Sequence, residues 1–127
     1  MADELVLDTN AFNERGFVHF LKGHAGRKIL PSVAAAEYYY HLRNNRGWSL
    51  ERFLALLRET DVVVEPLDRG RALAAVEAAD RAFTTRRADA LIAAHALAPG
   101  KLLVTRNPAD YPQVPRKTTP AALMSHG

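Results

Sequence analysis

An α/β fold, with a mostly parallel sheet covered by helices on both faces, is predicted by three features of this sequence. Short apolar or β-branched runs alternate with helical segments along the chain, the pattern of β-α-β units. The runs are continuous in hydrophobicity rather than alternating, as expected for strands buried on both faces. The length of 127 residues, 48% of them hydrophobic, suits one core of ordinary domain size. A single domain over residues 1–127 is therefore expected.

The elements follow in order. Glu4-Leu5-Val6-Leu7-Asp8 is a buried strand ending in a carboxylate. Asp8-Thr9-Asn10 caps a helix that starts near Ala11, carries Phe12, Phe17 and Phe20, and stops at Gly23-His24-Ala25-Gly26. Arg27-Lys28-Ile29-Leu30 is a second strand. Pro31-Ser32 opens a helix through Asn44, with Ser32 as its N-cap and Gly47 as its stop. Ser49 caps a helix whose apolar side holds Phe53, Leu54, Leu56 and Leu57. Asp61-Val62-Val63-Val64-Glu65 is a β-branched strand ended by Pro66. Asp68 caps an Ala-rich helix through Phe83, with Leu73, Val76, Ala79, Asp80 and Phe83 at helical spacing. A basic loop, Thr84-Thr85-Arg86-Arg87, leads to a helix from Ala88 to Ala98, stopped by Pro99-Gly100. Lys101-Leu102-Leu103-Val104-Thr105 is the last strand. The proline-bearing tail holds one helical turn at Pro120-Ala121-Ala122-Leu123.

Composition removes several classes of chemistry. Without cysteine there are no disulfides, thiolate metal sites or thiol nucleophiles. No apolar run reaches the ~18 residues of a membrane span. The acidic start, Met1-Ala2-Asp3-Glu4, lacks the basic region of a secretory signal, so a cytoplasmic protein is expected. The net charge of +3 permits a polyanionic partner without demanding one. Arginine dominates the basic set, and its planar fork suits phosphate, although genome composition explains the same excess.

Ligands of open parallel sheets bind beyond the carboxyl ends of the strands. The first strand ends in Asp8-Thr9-Asn10; the last ends in Thr105-Arg106-Asn107, with Asp110 close behind. Asp89 opens the helix before the last strand, and Glu37 follows three small residues in the helix after the second. Taken singly, Asp8 and Asp89 are possible helix caps, Glu37 a solvated helix residue and Asp110 a turn former. Thr9 and Thr105 could simply satisfy backbone groups. Two strands deliver Asp8 and Asp110 to one sheet edge. Asp89 joins them if the preceding chain leads there, and Glu37 if it faces inward. Four carboxylates in one cleft would repel unless a cation relieved them. An all-oxygen, cysteine-free donor set suits Mg²⁺ or Mn²⁺, and such an ion serves phosphodiester hydrolysis.

At four places in order, the chain resembles PIN domains, most closely the small stand-alone proteins of VapC type. These are Val6-Leu7-Asp8-Thr9-Asn10, Pro31-Ser32-Val33-Ala34-Ala35-Ala36-Glu37, the helix from Ala88-Asp89-Ala90 to His95-Ala96, and Leu103-Val104-Thr105-Arg106-Asn107-Pro108-Ala109-Asp110-Tyr111. Thr119-Pro120-Ala121-Ala122-Leu123 is similar to the usual tail. The resemblance implies a three-layer α/β/α PIN-like fold and a metal-dependent endoribonuclease, often a toxin held inactive by a small antitoxin and commonly a homodimer. It also implies roles. Asp8, Asp89 and Asp110 would be direct or water-mediated ligands of Mg²⁺ or Mn²⁺, and Glu37 would hold a bound water or a second ion. Thr9 and Thr105 would orient carboxylates or the scissile phosphate, with Asn107 a further polar contact. Water would attack phosphorus in line and leave a 5′-phosphate. Arg106 and Pro108 depart from the small or polar residues common after the threonine, and no second acid adjoins Asp89.

Other features are read beside that resemblance. His95 lies two turns beyond Asp89 and is expected to pack or face solvent rather than act as general acid. Arg43, Arg46, Arg86, Arg87 and Arg106 are candidates to steer an RNA backbone. Tyr38, Tyr39 and Tyr40 point in different directions on one helix, so at least one is exposed, in an interface or against a base. A dehalogenase-like phosphatase would need a second acid where Asn10 stands. An RNA-processing nuclease and an inactive PIN-fold RNA-binding module remain the alternatives.

Overall fold

The computed structural model describes residues 3–82 and 87–126, without the side chains of 78–82 and 87. The expected loop around Arg86 and the helix end at Phe83 lie outside the described residues. Five strands form one sheet: β1 (Glu4–Leu7), β2 (Lys28–Pro31), β3 (Val62–Glu65), β4 (Lys101–Val104) and β5 (Lys117–Thr118). Their order is β3-β2-β1-β4-β5, and every pairing is parallel. The expectation of a mostly parallel sheet thus resolves to an all-parallel one among the described residues. β1 is central, pairing Val6 with Ile29 on one side and with Leu103 on the other. Val6, Leu7, Ile29, Leu30, Leu103 and Val104 are fully buried, which is why these runs carry no polar face.

The helices are α1 (Phe17–Gly23), α2 (Ser32–Arg46), α3 (Leu50–Thr60), α4 (Arg69–Ala82), α5 (Arg87–Ala93) and α6 (Pro120–His126). The chain leaves β1 toward β2 and β3, then crosses to β4 on the other side of β1. Right-handed crossovers therefore put α1, α2 and α3 on one face and α4 and α5 on the other, giving three layers. α1 packs on α3 and α6, and α4 packs on α5. α2 also meets α5.

Several expectations are corrected in detail. The helix expected from Ala11 to Gly23 is broken into a 3-10 turn, Thr9–Asn13, and α1. Gly16 stands between them at φ +84°, a left-handed conformation that glycine adopts freely. Ser32 is the first helical residue of α2 rather than its cap; its hydroxyl accepts from the Leu67 N–H at 3.2 Å. Ser49 and Asp68 do cap, accepting from the Arg52 and Arg71 N–H groups. On α3, Leu54 is exposed and Thr60 joins the buried face. On α4, Leu73 and Val76 are 53% and 66% exposed, while Ala75 carries the burial. α5 tightens into a 3-10 turn at Ala94–Ala96, short of Ala98. The tail holds a strand, β5, as well as a longer helix than one turn.

The tyrosine run divides by direction. Tyr38 is buried and stacks on Phe12 with ring centroids 4.5 Å apart, whereas Tyr40 is 59% exposed. No helix among the described residues is long and apolar enough to cross a membrane.

Candidate acid cleft at the carboxyl edge of the sheet

The strand order reverses direction at β1 and β4, so the loops leaving these two strands splay apart above the sheet. A crevice at that switch point follows from the topology. The cleft found there has a volume of about 360 Å³. Asp8, Glu37, Asp89 and Asp110 all line it, with Thr9 and Asn107. Asp8 arrives on the end of β1 and Asp110 on the 3-10 turn Pro108–Asp110 after β4. Asp89 stands in the first turn of α5, and Glu37 projects from α2, so the α2–α5 contact brings the last two together.

Asp8 is firmly held. It is buried, and its Oδ1 accepts the Thr9 N–H at 2.7 Å. Its Oδ2 accepts the Thr105 hydroxyl at 2.9 Å and the Tyr111 hydroxyl at 3.0 Å. Donors to an ionised carboxylate are the strong class of hydrogen bond and fix its orientation. Thr105 is itself fully buried beneath the cleft, and its oxygen accepts the Asn107 N–H at 3.2 Å. Asn10 ties the β4 loop down by accepting the Arg106 N–H at 3.0 Å. The Thr9 hydroxyl does not face the acids: it donates to the Ala34 carbonyl at 3.2 Å, fastening the turn to α2. Thr9 acts on Asp8 through its backbone N–H alone.

Tyr111 spans two acids. Its hydroxyl stands 3.0 Å from Asp8 Oδ2 and 3.3 Å from Asp89 Oδ1. One phenolic proton thus faces two carboxylates. Burial, followed by the charges of Asp8 and Asp89, drives the ionisation of this phenol far above its ordinary range, so it remains a donor. Glu37 sits at the exposed rim. Partial desolvation and the charges of Asp8 and Asp89 push its carboxyl up from the ordinary value.

Three lining residues had no role in the sequence reading: Asn13, His41 and Asn10. His41 follows Glu37 by four residues and therefore shares its helix face, a spacing visible in the sequence. Its Nδ1 lies 2.9 Å from the Asn45 side-chain nitrogen, which can only donate. A neutral ring then carries its proton on Nε2. Tyr111 was quoted in the closing motif without a function. His95 is elsewhere in the fold: it is buried, with Nδ1 2.7 Å from Glu65 Oε1, and does not line the cleft.

The donor set is all oxygen, as a hard divalent cation prefers. Among the described residues, however, no group of three His, Cys, Asp or Glu side chains converges tightly enough to form an ion cage. The chemistry fits Mg²⁺ or Mn²⁺ retaining several waters and touching one or two carboxylates, and does not fit a fully protein-ligated ion.

The PIN domain family model matches residues 5–117. The chain belongs to the PIN domain family. Among curated proteins, none matches the sequence. Solved structures share the fold of this PIN domain. A chain of the DNA-bound VapBC complex from Salmonella typhimurium is 22% identical with a TM-score of 0.67, covering 94% of this chain and 99% of that one. A chain of a toxin–antitoxin complex from Klebsiella pneumoniae is 19% identical with a TM-score of 0.70, covering 92% and 97%. A chain of VapBC2 from Rickettsia felis, bound to a DNA fragment from its promoter, is 16% identical with a TM-score of 0.66, covering 91% and 98%.

Proposed function

We propose that this PIN domain is an endoribonuclease that hydrolyses RNA phosphodiesters in the acid cleft with Mg²⁺ or Mn²⁺. It acts in the cytoplasm as the toxin of a VapBC-type pair. The observation that carries the nuclease reading is the meeting of Asp8, Glu37, Asp89 and Asp110 in one cleft, with buried hydroxyls aimed at Asp8. The toxin reading rests on the likeness to chains of VapBC complexes over more than nine-tenths of their length. A small antitoxin and a second copy of this chain are the expected partners.

Asp8, Asp89 and Asp110 are the residues that would hold the ion, one or two directly and the rest through its waters. When bound, a divalent ion acidifies water and offsets phosphate charge. Thr105 and Tyr111 keep Asp8 oriented, which spares reorganisation during the reaction. Glu37, with its raised carboxyl, is suited to take the proton of the attacking water. His41 Nε2–H supplies a donor at the same cleft for a phosphate oxygen. Attack on phosphorus breaks the bond to the 3′ oxygen and leaves a 5′-phosphate.

The test is RNA cleavage by the purified protein, freed of any co-purifying partner, with Mn²⁺ or Mg²⁺ against EDTA. Asp8→Asn and Asp89→Asn run alongside. Metal-dependent cutting lost in both variants is expected, and an active Asp89→Asn protein would sink the assignment. The missing ion cage favours one other reading, an inactive RNA-binding module, which absence of both cutting and metal binding would support. A separate RNA-processing role would show as activity with no antitoxin encoded beside it.

A further inference from the structure

A second and larger groove, of about 720 Å³, opens beside the acid cleft. The two share Asn13 and Tyr38, so they are continuous along the side of α2 that faces the 3-10 turn Thr9–Asn13. Their charges are opposite. The cleft is lined by four acids, and the groove by Arg15, Lys22, Arg46 and Arg106, with Glu14 as its one acid. Arg15, Arg46 and Arg106 are exposed, and none has an ion-pair partner among the described residues. Lys22 is already shared with Glu59 at 3.7 Å.

The local sequence builds this placement. Gly16 turns the chain between the 3-10 segment and α1, which sets Arg15 on the groove wall. Arg106 directly follows Thr105, and its backbone N–H is tied to Asn10, so the basic wall is anchored to a residue that lines the acid cleft. Arg46 ends α2, the helix that carries Glu37.

An acid cleft repels the phosphates on either side of the one being cut. Unpaired guanidinium forks adjoining it offset that repulsion and match phosphate oxygens geometrically. We propose that the groove binds the phosphate backbone of single-stranded RNA flanking the scissile bond, with the strand leaving the cleft over Asn13 and Tyr38 toward Arg15 and Arg46. This rests on the nuclease reading and adds the path and the residues.

The experiment measures binding of a labelled oligouridylate to the Asp8→Asn protein, which holds RNA without cutting it, over a salt series. Each phosphate contact to a single strand contributes a slope of about 0.7 in log K against log salt. Arg15→Ala and Arg46→Ala are each expected to lower the slope by about that amount. Arg27→Ala, whose partner is Glu4 at the opposite sheet edge, should leave it unchanged. Circular dichroism checks that each variant is folded. An unchanged slope in both groove variants overturns the assignment and leaves the groove to a protein segment. An equal fall in Arg27→Ala also overturns it, as general charge attraction. Cleavage of the same RNA by the unaltered protein separates the two readings. A fall in slope without cleavage keeps the groove and removes the nuclease; neither binding nor cleavage removes both.

Discussion

Removing one oxygen atom, by Tyr111→Phe, tests whether the acid cleft is held together by its hydroxyl donors. Tyr111 is 1% exposed, and its ring packs in the core, so phenylalanine keeps the packing and leaves no cavity of ring size. What is lost is the proton facing Asp8 Oδ2 at 3.0 Å and Asp89 Oδ1 at 3.3 Å. A hydrogen bond to a charged group contributes about 1.5–3 kcal/mol, and its loss leaves two acids facing each other with one donor fewer. A destabilisation of about 2 kcal/mol is expected in EDTA, corresponding to roughly 6–10 °C in Tm for a domain of this size. Urea unfolding of parent and variant gives the number directly. The Asp89→Asn background sharpens the test, because neutralising one acid removes the repulsion that the phenol relieves. There Tyr111→Phe should cost about 1 kcal/mol less, a coupling read from the double-mutant cycle. A Tyr111→Phe protein as stable as the parent in EDTA would refute the reasoning.

Three further outcomes are expected. Glu37 has its carboxyl raised by burial and by Asp8 and Asp89, so above the ordinary value of 4.5 the unfolded chain ionises first and stability falls as pH rises through the folded value. Glu37→Gln should match the parent below pH 4.5 and exceed it in stability above, as followed by denaturation across that range. Thr105→Val deletes the buried donor to Asp8 and the acceptor of the Asn107 N–H, costing about 2 kcal/mol. Thr105→Ser restores both bonds and loses only a methyl group, about 0.8 kcal/mol. Burial lowers the ionisation of His95 despite the opposing pull of Glu65, so stability is lost as pH falls from 6.5 through the folded value. His95→Gln should flatten that acid-side loss in unfolding experiments and leave RNA cleavage in place, since His95 is outside the cleft.

Four strands and the general run of helices were legible because each strand is a continuous apolar run closed by a charge, proline or glycine. The acids were legible as a set because the parallel-sheet rule says where strand ends go. β5 was not, because it is two residues long in a proline-bearing tail and gets its place only by pairing with Leu103 and Val104. The break at Gly16 was missed because a single glycine inside a helical pattern is often tolerated, and Phe17 and Phe20 resume helical spacing just beyond it. Leu73 and Val76 show the limit of periodicity, which predicts a helix without saying which of its small and large residues meets the sheet. Tyr111 was invisible as a bridge because its reach to two acids depends on the turn at Pro108–Asp110, not on local pattern. Thr9 is read from sequence either as orienting a carboxylate or phosphate or as satisfying backbone groups. Its N–H holds Asp8 while its hydroxyl donates to the Ala34 carbonyl, a division that local pattern does not reveal.

The central position of β1 carries a consequence for the order of events during synthesis. Asp8 is made well before its Thr105 and Tyr111 partners, which lie 97 and 103 residues later. β1 also lacks its β4 neighbour until that late segment arrives. Contacts of such long sequence separation close last in folding. A nascent chain therefore carries Asp8 without these partners, and with no assembled cleft, until the later segment follows. On the proposed nuclease reading, the ribosome and the message being read face no assembled cleft until the segment carrying Thr105 and Tyr111 has been made.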